Sequence, residues 1–159
     1  MSVAFTRDED SEAAAADLPD RPISPHPNLV TPEGLALIEA ALGEAREAYA
    51  AAQARGDVSA DRTAMARATR DLRYWGARRG SAQLVVAPRH PEQVVFGCTV
   101  SVEREDGRTQ TFRIVGEDEA DPVQGSVSCI SPLARALIGK TVGDVAHVVG
   151  GEVEILSVR

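Results

Sequence analysis

The sequence predicts an α+β protein in which an antiparallel coiled-coil hairpin of two α-helices is followed by an antiparallel β-sheet domain with one short helix. Apolar residues recur at helical spacing between residues 31 and 85, whereas after residue 94 short runs of valine, isoleucine, threonine and phenylalanine alternate with turn residues. A chain of 159 residues can hold one compact core plus an extended element that needs little core. We therefore divide the chain into a tail (1–30), a helical hairpin (31–85) and a β-rich domain (86–159).

The tail combines an alanine- and acid-rich tract with prolines at positions 19, 22, 25 and 27. It has too few large apolar side chains to offset the conformational entropy that ordering would cost. We predict a disordered acidic and proline-rich tail over residues 1–30.

The hairpin begins at Thr31, which can cap the free amides of a helix that Pro32 and Glu33 then open. One apolar stripe precedes the helix terminator Gly56 and a second follows the turn, so the two stripes can face each other in an antiparallel pair. The first stripe consists of Leu35, Ile38, Leu42, Ala45, Tyr49 and Ala52, and the second of Met65, Ala68, Leu72, Trp75 and Ala82.

The β-rich domain contains strand-forming runs separated by turns, with Asp106-Gly107 as the strongest hairpin signal. Ser131 and Pro132 start a short helix that Gly139 ends. The predicted strands cover residues 95–104, 109–115, 126–129, 144–149 and 152–158, and the predicted helix covers residues 133–138.

The net charge of -7 argues against a protein that coats nucleic acid, because phosphate neutralisation needs a basic surface. A basic stripe nevertheless runs from residue 62 to 79, where Asp71 is the sole acid among six arginines. Its members Arg62, Arg67, Arg70 and Arg73 are candidates for a face that contacts RNA or a protein partner. A charged helix face is equally a solvated one.

No apolar stretch is long enough to cross a bilayer, and the first residues do not have the pattern of a signal peptide. We expect a soluble, cytoplasmic protein that is a monomer, because the narrow seam can be satisfied within one hairpin. Cys98 and Cys129 are predicted to be reduced core residues, and the spacing of the three histidines predicts no metal site.

Four stretches of the β-rich domain resemble, in order, the C-terminal domain of the bacterial transcription elongation factors GreA and GreB. They read FGCTV (96–100), TFRIVGEDEAD (111–121), SPLARALIGK (131–140) and GGEVEI (150–155). The resemblance implies an FKBP-like fold that docks on RNA polymerase at the rim of its secondary channel, while the hairpin extends into the channel. Nascent RNA and DNA would be met only within the elongation complex.

The resemblance also implies site residues. Docking falls to Ser131, Pro132 and Arg135 at the short helix and to the acidic loop residues Asp118, Glu119 and Asp121. The hairpin tip offers the acids Asp57 and Asp61, which would act on Mg²⁺ of the polymerase active site, since carboxylate oxygens are the ligands that this ion prefers. The protein itself is then not an enzyme: it binds no metal stably, needs no cofactor, and leaves any RNA cleavage to the polymerase.

Three alternatives stay open at this point. The second tip acid expected three residues after Asp57 is Ala60, with Asp61 one place later, and the arms are short, which favours a non-cleaving channel competitor resembling Rnk. The tip aspartates could simply cap a helix, and the acidic loop could be a solvated turn. A peptidyl-prolyl isomerase is disfavoured because the β-rich domain has only Phe96 and Phe112 to line an aromatic pocket.

Overall fold

The structure is a computed structural model that describes the backbone of residues 18–55 and 59–159, and the side chains of these residues except 59–61. The helices in this part of the chain are α1 (Pro32–Arg55), α2 (Ser59–Ser81) and α3 (Pro132–Leu137), with a 3-10 turn at Pro122–Gln124. The strands are β1 (Leu29–Val30), β2 (Gln83–Leu84), β3 (Thr99–Arg104), β4 (Thr109–Val115), β5 (Ser126–Ser128), β6 (Val145–Val148) and β7 (Gly151–Val158).

The chain divides into two compact units whose boundaries differ from the predicted ones. Ile38–Ser81 and the residues up to Pro25 form the helical unit, whereas His26–Leu37 and Ala82–Arg159 form the β unit. The first turns of α1 thus belong to the β unit, in which Thr31 contacts Glu119 and Glu33 contacts Arg113. Residues 18–30, which the sequence predicts as part of a disordered tail, form specific contacts described below; residues 1–17 of that predicted tail lie outside the described residues.

The helical unit is the antiparallel hairpin that the sequence predicts. Arg79, near the end of α2, donates a hydrogen bond from Nε to Oε1 of Glu39, near the beginning of α1, over 2.9 Å. The predicted stripe is buried at Ile38, Leu42, Ala45 and Ala52 on α1 and at Ala68 on α2. Since most of these side chains are alanines, the seam is narrow and its apolar area is small.

The β unit contains a five-stranded sheet in the order β5-β4-β3-β7-β6. The α+β class is confirmed, but the sheet is mixed, because β5 pairs parallel with β4 while the other neighbours are antiparallel. The reason is the connection after β4: the 3-10 turn and Gly125, with a φ of 84°, carry the chain back so that β5 runs in the same direction as β4.

The core of the β unit lies between α3 and one face of the sheet. Ala134 and Leu137 of α3 are fully buried together with alternating residues of the strands, as the period-2 pattern predicts. The fully buried strand residues of this core include the large side chains of Val100, Val102, Ile114, Val153 and Ile155. Each such side chain stabilises the fold by about 1.5 to 3 kcal/mol relative to an exposed one.

A second, two-stranded sheet joins β1 to β2, and we name this pair the clasp. The strands are parallel, with the amide of Gln83 donating to the carbonyl of Asn28 over 2.8 Å and the amide of Val85 donating to Val30 over 2.9 Å. Asn28 and Val30 are buried. The clasp therefore brings the residues just before α1 next to those just after α2.

Candidate functional site

The exposed start of α3 lies in the third of the four motif stretches. Ser131 is the N-cap, and its Oγ accepts a hydrogen bond from the amide of Ala134 over 3.2 Å. This satisfies one of the free amides of the helix, so the cap prediction is confirmed. Pro132 and Arg135 are exposed, so this short helix presents an apolar ring and a guanidinium group to solvent.

The acidic loop that follows β4 is held in place by one of its own carboxylates. Thr31 Oγ1 donates to the Glu119 carboxylate, 2.7 Å from Oε1 and 2.8 Å from Oε2, and accepts from the amide of Gly34 over 3.0 Å. Thr31 is buried, with 1 % of its surface exposed. The half-buried Glu119 side chain thus binds a buried threonine and supports the loop, and its docking role stays a prediction.

The backbone of this loop also lies directly on the clasp. A Cβ added to Gly116 would stand 2.4 Å from the carbonyl oxygen of Leu29, so no side chain fits between the two backbones. Glycine is required here by close approach and not by a positive φ. The beginning of the acidic loop and β1 consequently form one packed layer within the β unit.

The two aspartates of the loop differ in exposure. Asp121 is exposed and its Oδ1 accepts a hydrogen bond from the amide of Val123 over 3.1 Å, which caps the 3-10 turn. Asp118 is half-buried. Of the three predicted docking acids, Asp121 therefore presents the most accessible carboxylate.

An ion pair extends the charged surface of the β unit to the first turn of α1. Arg113 Nη2 donates to Glu33 Oε2 over 3.3 Å. The backbone amide of Glu33 and then the positive charge of Arg113 lower the pKa of Glu33 below its ordinary value. Glu33 is therefore ionised at neutral pH, at the positive end of the helix where an anion is favoured.

The arginines of α2 are in two different situations. Arg62 and Arg67 are exposed, whereas Arg73 Nη1 donates to Asp20 Oδ1 over 3.1 Å, and Arg70 Nε lies 3.8 Å from Asp71 Oδ1. Arg62 and Arg73 are eleven residues, or three helical turns, apart and so share one face. Arg67, five residues from Arg62 and so about 140° around the helix, lies on another side, and the predicted basic face is therefore reduced to Arg62 and Arg73. A carboxylate from the segment before α1 pairs with Arg73.

The two acids predicted at the hairpin tip are Asp57 and Asp61. Asp57 lies outside the described residues, and Asp61 lies in α2 with its side chain outside them. Among the residues that the structure describes, no group of three or more His, Cys, Asp or Glu could hold a metal ion. The roles of Asp57 and Asp61 stay predictions.

Both phenylalanines of the β unit are core residues: Phe96 is 8 % exposed and Phe112 is 7 % exposed. Both rings are therefore enclosed in the core, whereas a proline-binding site would need aromatic rings that line an open pocket. In the part of the chain covered by the structure, no helix combines the length and apolar character that spanning a membrane requires.

Sequence reasoning missed two features of this site. The Thr31–Glu119 contact joins residues 88 positions apart and leaves no local signal, although Thr31 was identified as a cap. The contacts of Asp20 and Arg21 with α2 were missed because the prolines around them predict disorder. The complementary charges of Asp20-Arg21 and of Asp71 with Arg73 were the one available signal.

Comparison with known proteins identifies relatives. Residues 89–159 match the family described as transcription elongation factor, GreA/GreB, C-term. Transcription elongation factor GreB of Neisseria meningitidis serogroup B is 44% identical over 111 residues, which cover 65% of this chain and 68% of that protein. Transcription elongation factor GreA of Anaeromyxobacter sp. (strain K) is 48% identical over 87 residues, covering 52% of this chain and 51% of that protein.

Among solved structures, GreA factor homolog 1 of Thermus thermophilus is 20% identical and covers 84% of this chain and 99% of its own, with a TM-score of 0.39. That superposition is too loose for a residue-by-residue comparison. The match to GreA of Anaeromyxobacter spans about half of that protein's length, since it covers 51% of it. With the family match over residues 89–159 and 44% identity to GreB across 68% of that relative, the chain belongs to the GreA/GreB family of transcription elongation factors.

Proposed function

We propose that this protein is an accessory factor of RNA polymerase that docks through its β unit and inserts the helical hairpin into the secondary channel, where it regulates elongation. The observation that carries the proposal is the family match over residues 89–159, which includes the exposed start of α3. The factor would act where the polymerase is, in the cytoplasm, and as a monomer, because the apolar seam is satisfied within one hairpin.

The docking surface of this proposal consists of Pro132, Arg135 and Asp121. All are exposed, and each is held by a capped turn or helix: Ser131 caps α3, and Asp121 caps the 3-10 turn. A rigid backbone reduces the entropy lost when such side chains engage a partner. Ser131 contributes by positioning α3, and Glu119 by positioning the acidic loop through Thr31.

The hairpin would bring Asp57 and Asp61 toward the polymerase active site. In this proposal the catalytic metal belongs to the polymerase, and the tip supplies oxygen ligands that help to place it. The polymerase then cleaves backtracked RNA, and this protein only stimulates the reaction. The exposed arginines Arg62 and Arg73 would face nucleic acid along one side of the arm.

A second candidate is a factor that occupies the channel without stimulating cleavage. Two features favour it: Ala60 stands where the second tip acid is expected, and α1 has 24 residues, a length of about 36 Å at about 1.5 Å per residue. Both candidates share docking and differ in the effect of the tip.

Docking is tested by measuring the affinity for purified RNA polymerase from the same organism. Arg135→Glu reverses an exposed charge on α3 and is expected to weaken binding by about tenfold or more, as loss of an interfacial arginine commonly does. The matched control is Arg89→Glu, an exposed arginine of the β unit outside the docking surface, which should bind like the wild type. Equal affinity of both variants and the wild type would remove α3 from the docking surface.

Cleavage is tested in a purified, backtracked elongation complex with the wild type and with Asp57→Ala combined with Asp61→Ala. If the wild type accelerates cleavage and the double variant binds without doing so, the tip acids act on the polymerase metal site. If the wild type binds and cleavage stays at the polymerase's own rate, the protein is a channel competitor and the tip assignment is wrong.

A further inference from the structure

The segment just before the clasp lies along α2 and contacts it through charged and aromatic side chains. We name residues 18–25 the strap; they belong to the helical unit together with α2. We propose that the strap is an autoinhibitory device: its Asp20 pairs with Arg73 on the basic face of α2, and this pair must break before Arg73 can bind a phosphate of RNA. This inference rests on the proposed function, because it concerns when the arginine face becomes available.

Arg21 is held by a site that matches a guanidinium group. Its Cζ lies 3.8 Å from the centroid of the Tyr74 ring and 5.2 Å from that of Trp75. The two rings meet edge to face, with centroids 4.9 Å apart, and Arg21 Nη1 donates to Asp71 Oδ1 over 3.4 Å. A cation over aromatic faces with a carboxylate at its edge is a specific arrangement, because arginine can stack and hydrogen bond at once.

The neighbouring residue engages the basic face directly. Asp20 accepts from Arg73 over 3.1 Å, and both side chains are largely exposed, at 62% for Asp20 and 67% for Arg73. A carboxylate binds a guanidinium in the way that a phosphate oxygen does. Asp20 is therefore an intramolecular substitute for the nucleic-acid phosphate that Arg73 would otherwise contact.

Asp71 explains why the strap is seated at this position. It is the single acid within the arginine stripe of residues 62–79, and it lies near both Arg21 and Arg70. By binding Arg21 it anchors the strap, and the anchored strap places Asp20 on Arg73. The strap therefore pairs with one acid and one base of α2.

The contacts are strong enough to seat the strap and weak enough to release it. Exposed ion pairs gain little and are screened by salt, and one cation–π contact adds a comparable amount. A strand of RNA, which offers several phosphates to Arg62 and Arg73, therefore outcompetes the single carboxylate of Asp20 when it is held nearby. Inhibition that is partial and reversible follows.

Trp75 is the only tryptophan of the chain, so its fluorescence reports the strap directly. Arg21→Ala removes the group stacked near its ring and should increase quenching of Trp75 by acrylamide. Arg46→Ala, an exposed arginine on α1, is the matched control and should leave quenching unchanged. Wild-type quenching should also rise toward the Arg21→Ala value as salt is added, because ion pairs hold the strap.

The competition is measured as affinity for a reconstituted elongation complex at low salt. Arg21→Ala and Asp20→Ala should each bind about threefold to tenfold more tightly than the wild type, the effect of removing one or two weak surface contacts. Glu44→Ala, which removes an exposed acid of α1, is the control for net charge and should show no such gain. The difference between Arg21→Ala and the wild type should vanish at high salt.

Two results would overturn the inference. If Trp75 quenching is the same in Arg21→Ala and the wild type, the strap is not seated on α2 in solution; if quenching rises but affinity does not, the strap is seated but does not compete. If no form of the protein binds the elongation complex, the proposed function fails. The strap is then judged on a single-stranded RNA oligonucleotide alone, where unchanged affinity of Asp20→Ala would reject it.

Discussion

The close approach of Gly116 to the clasp yields a sharp test of how the β unit is packed. In Gly116→Ala the new Cβ would lie 2.4 Å from the Leu29 carbonyl oxygen, whereas ordinary contact begins at 3.4 Å. One of the two backbones must therefore move by about 1 Å, since neither partner is a flexible side chain. Leu29 belongs to β1, which pairs with β2, so this movement would distort the pairing of the two strands in the clasp.

We expect Gly116→Ala to lower the free energy of unfolding of the β unit by about 2 to 3 kcal/mol, the cost of overpacking together with a weakened buried hydrogen bond. The clasp amides of Gln83 and Val85 report this locally, because they donate to the carbonyls of Asn28 and Val30. Their hydrogen exchange should become about 30- to 150-fold faster, since each 1.4 kcal/mol corresponds to about tenfold.

The matched control is Gly43→Ala, the same substitution in a helix at a position with no atom within 4 Å of the added Cβ. It should leave the clasp amides unchanged and stabilise α1 by up to about 1 kcal/mol, because alanine favours helix over glycine. Exchange at Gln83 and Val85 that is equally slow in Gly116→Ala and the wild type would refute the packing of the acidic loop against β1.

Three further outcomes follow from single contacts. Thr31→Val keeps the shape of the side chain but removes both the cap and the hydrogen bonds to Glu119, so thermal or urea unfolding should show a loss of about 1 to 3 kcal/mol; a neutral effect would mean that the loop is held by other contacts. Burial raises the pKa of both thiols, and Cys98 is 1 % exposed while Cys129 is half-buried, so a thiol reagent at neutral pH should modify Cys129 first and Cys98 only on unfolding. The backbone amide of Thr141 donates a hydrogen bond to the Asp144 carboxylate, and this bond is the main cause of the lowered pKa of Asp144. The ionised carboxylate therefore stabilises the fold at neutral pH, and this stabilisation is lost as the pH falls below about 4. Asp144→Asn should therefore flatten the acid side of the stability profile, and an unchanged profile would contradict the shift.

Local chemistry made much of the fold predictable. The cap at Thr31 starts a helix at Pro32, the strand predicted at 109–115 is observed as Thr109–Val115, and Ser131-Pro132 opens the short helix as expected. In each case a few adjacent residues determine the structure through capping, alternation or turn preference. These signals lie within a few residues of one another, so a short stretch of sequence is enough to recognise them.

The features that escaped prediction depend on residues far apart in sequence. The two-residue strands of the clasp have no pattern of their own and exist only through pairing across more than 50 residues, from Leu29 to Gln83. The position of the Glu119 side chain likewise depends on Thr31, a buried residue before α1. From the loop sequence alone, this acid is expected to be solvated. The parallel pairing of β5 follows from the path of its loop, which strand propensity does not encode.

The clasp also separates the length of the arms from the rest of the molecule. The chain leaves β1, forms α1 and α2, and returns at β2, which pairs with β1. The two arms are therefore joined at their base by the clasp. Adding seven residues to each arm keeps the apolar seam nearly in phase, because seven residues make about two turns, and lengthens the hairpin by about 10.5 Å. We therefore expect that arms of a different length can replace these arms while the pairing of β1 with β2 and the fold of the β unit stay unchanged.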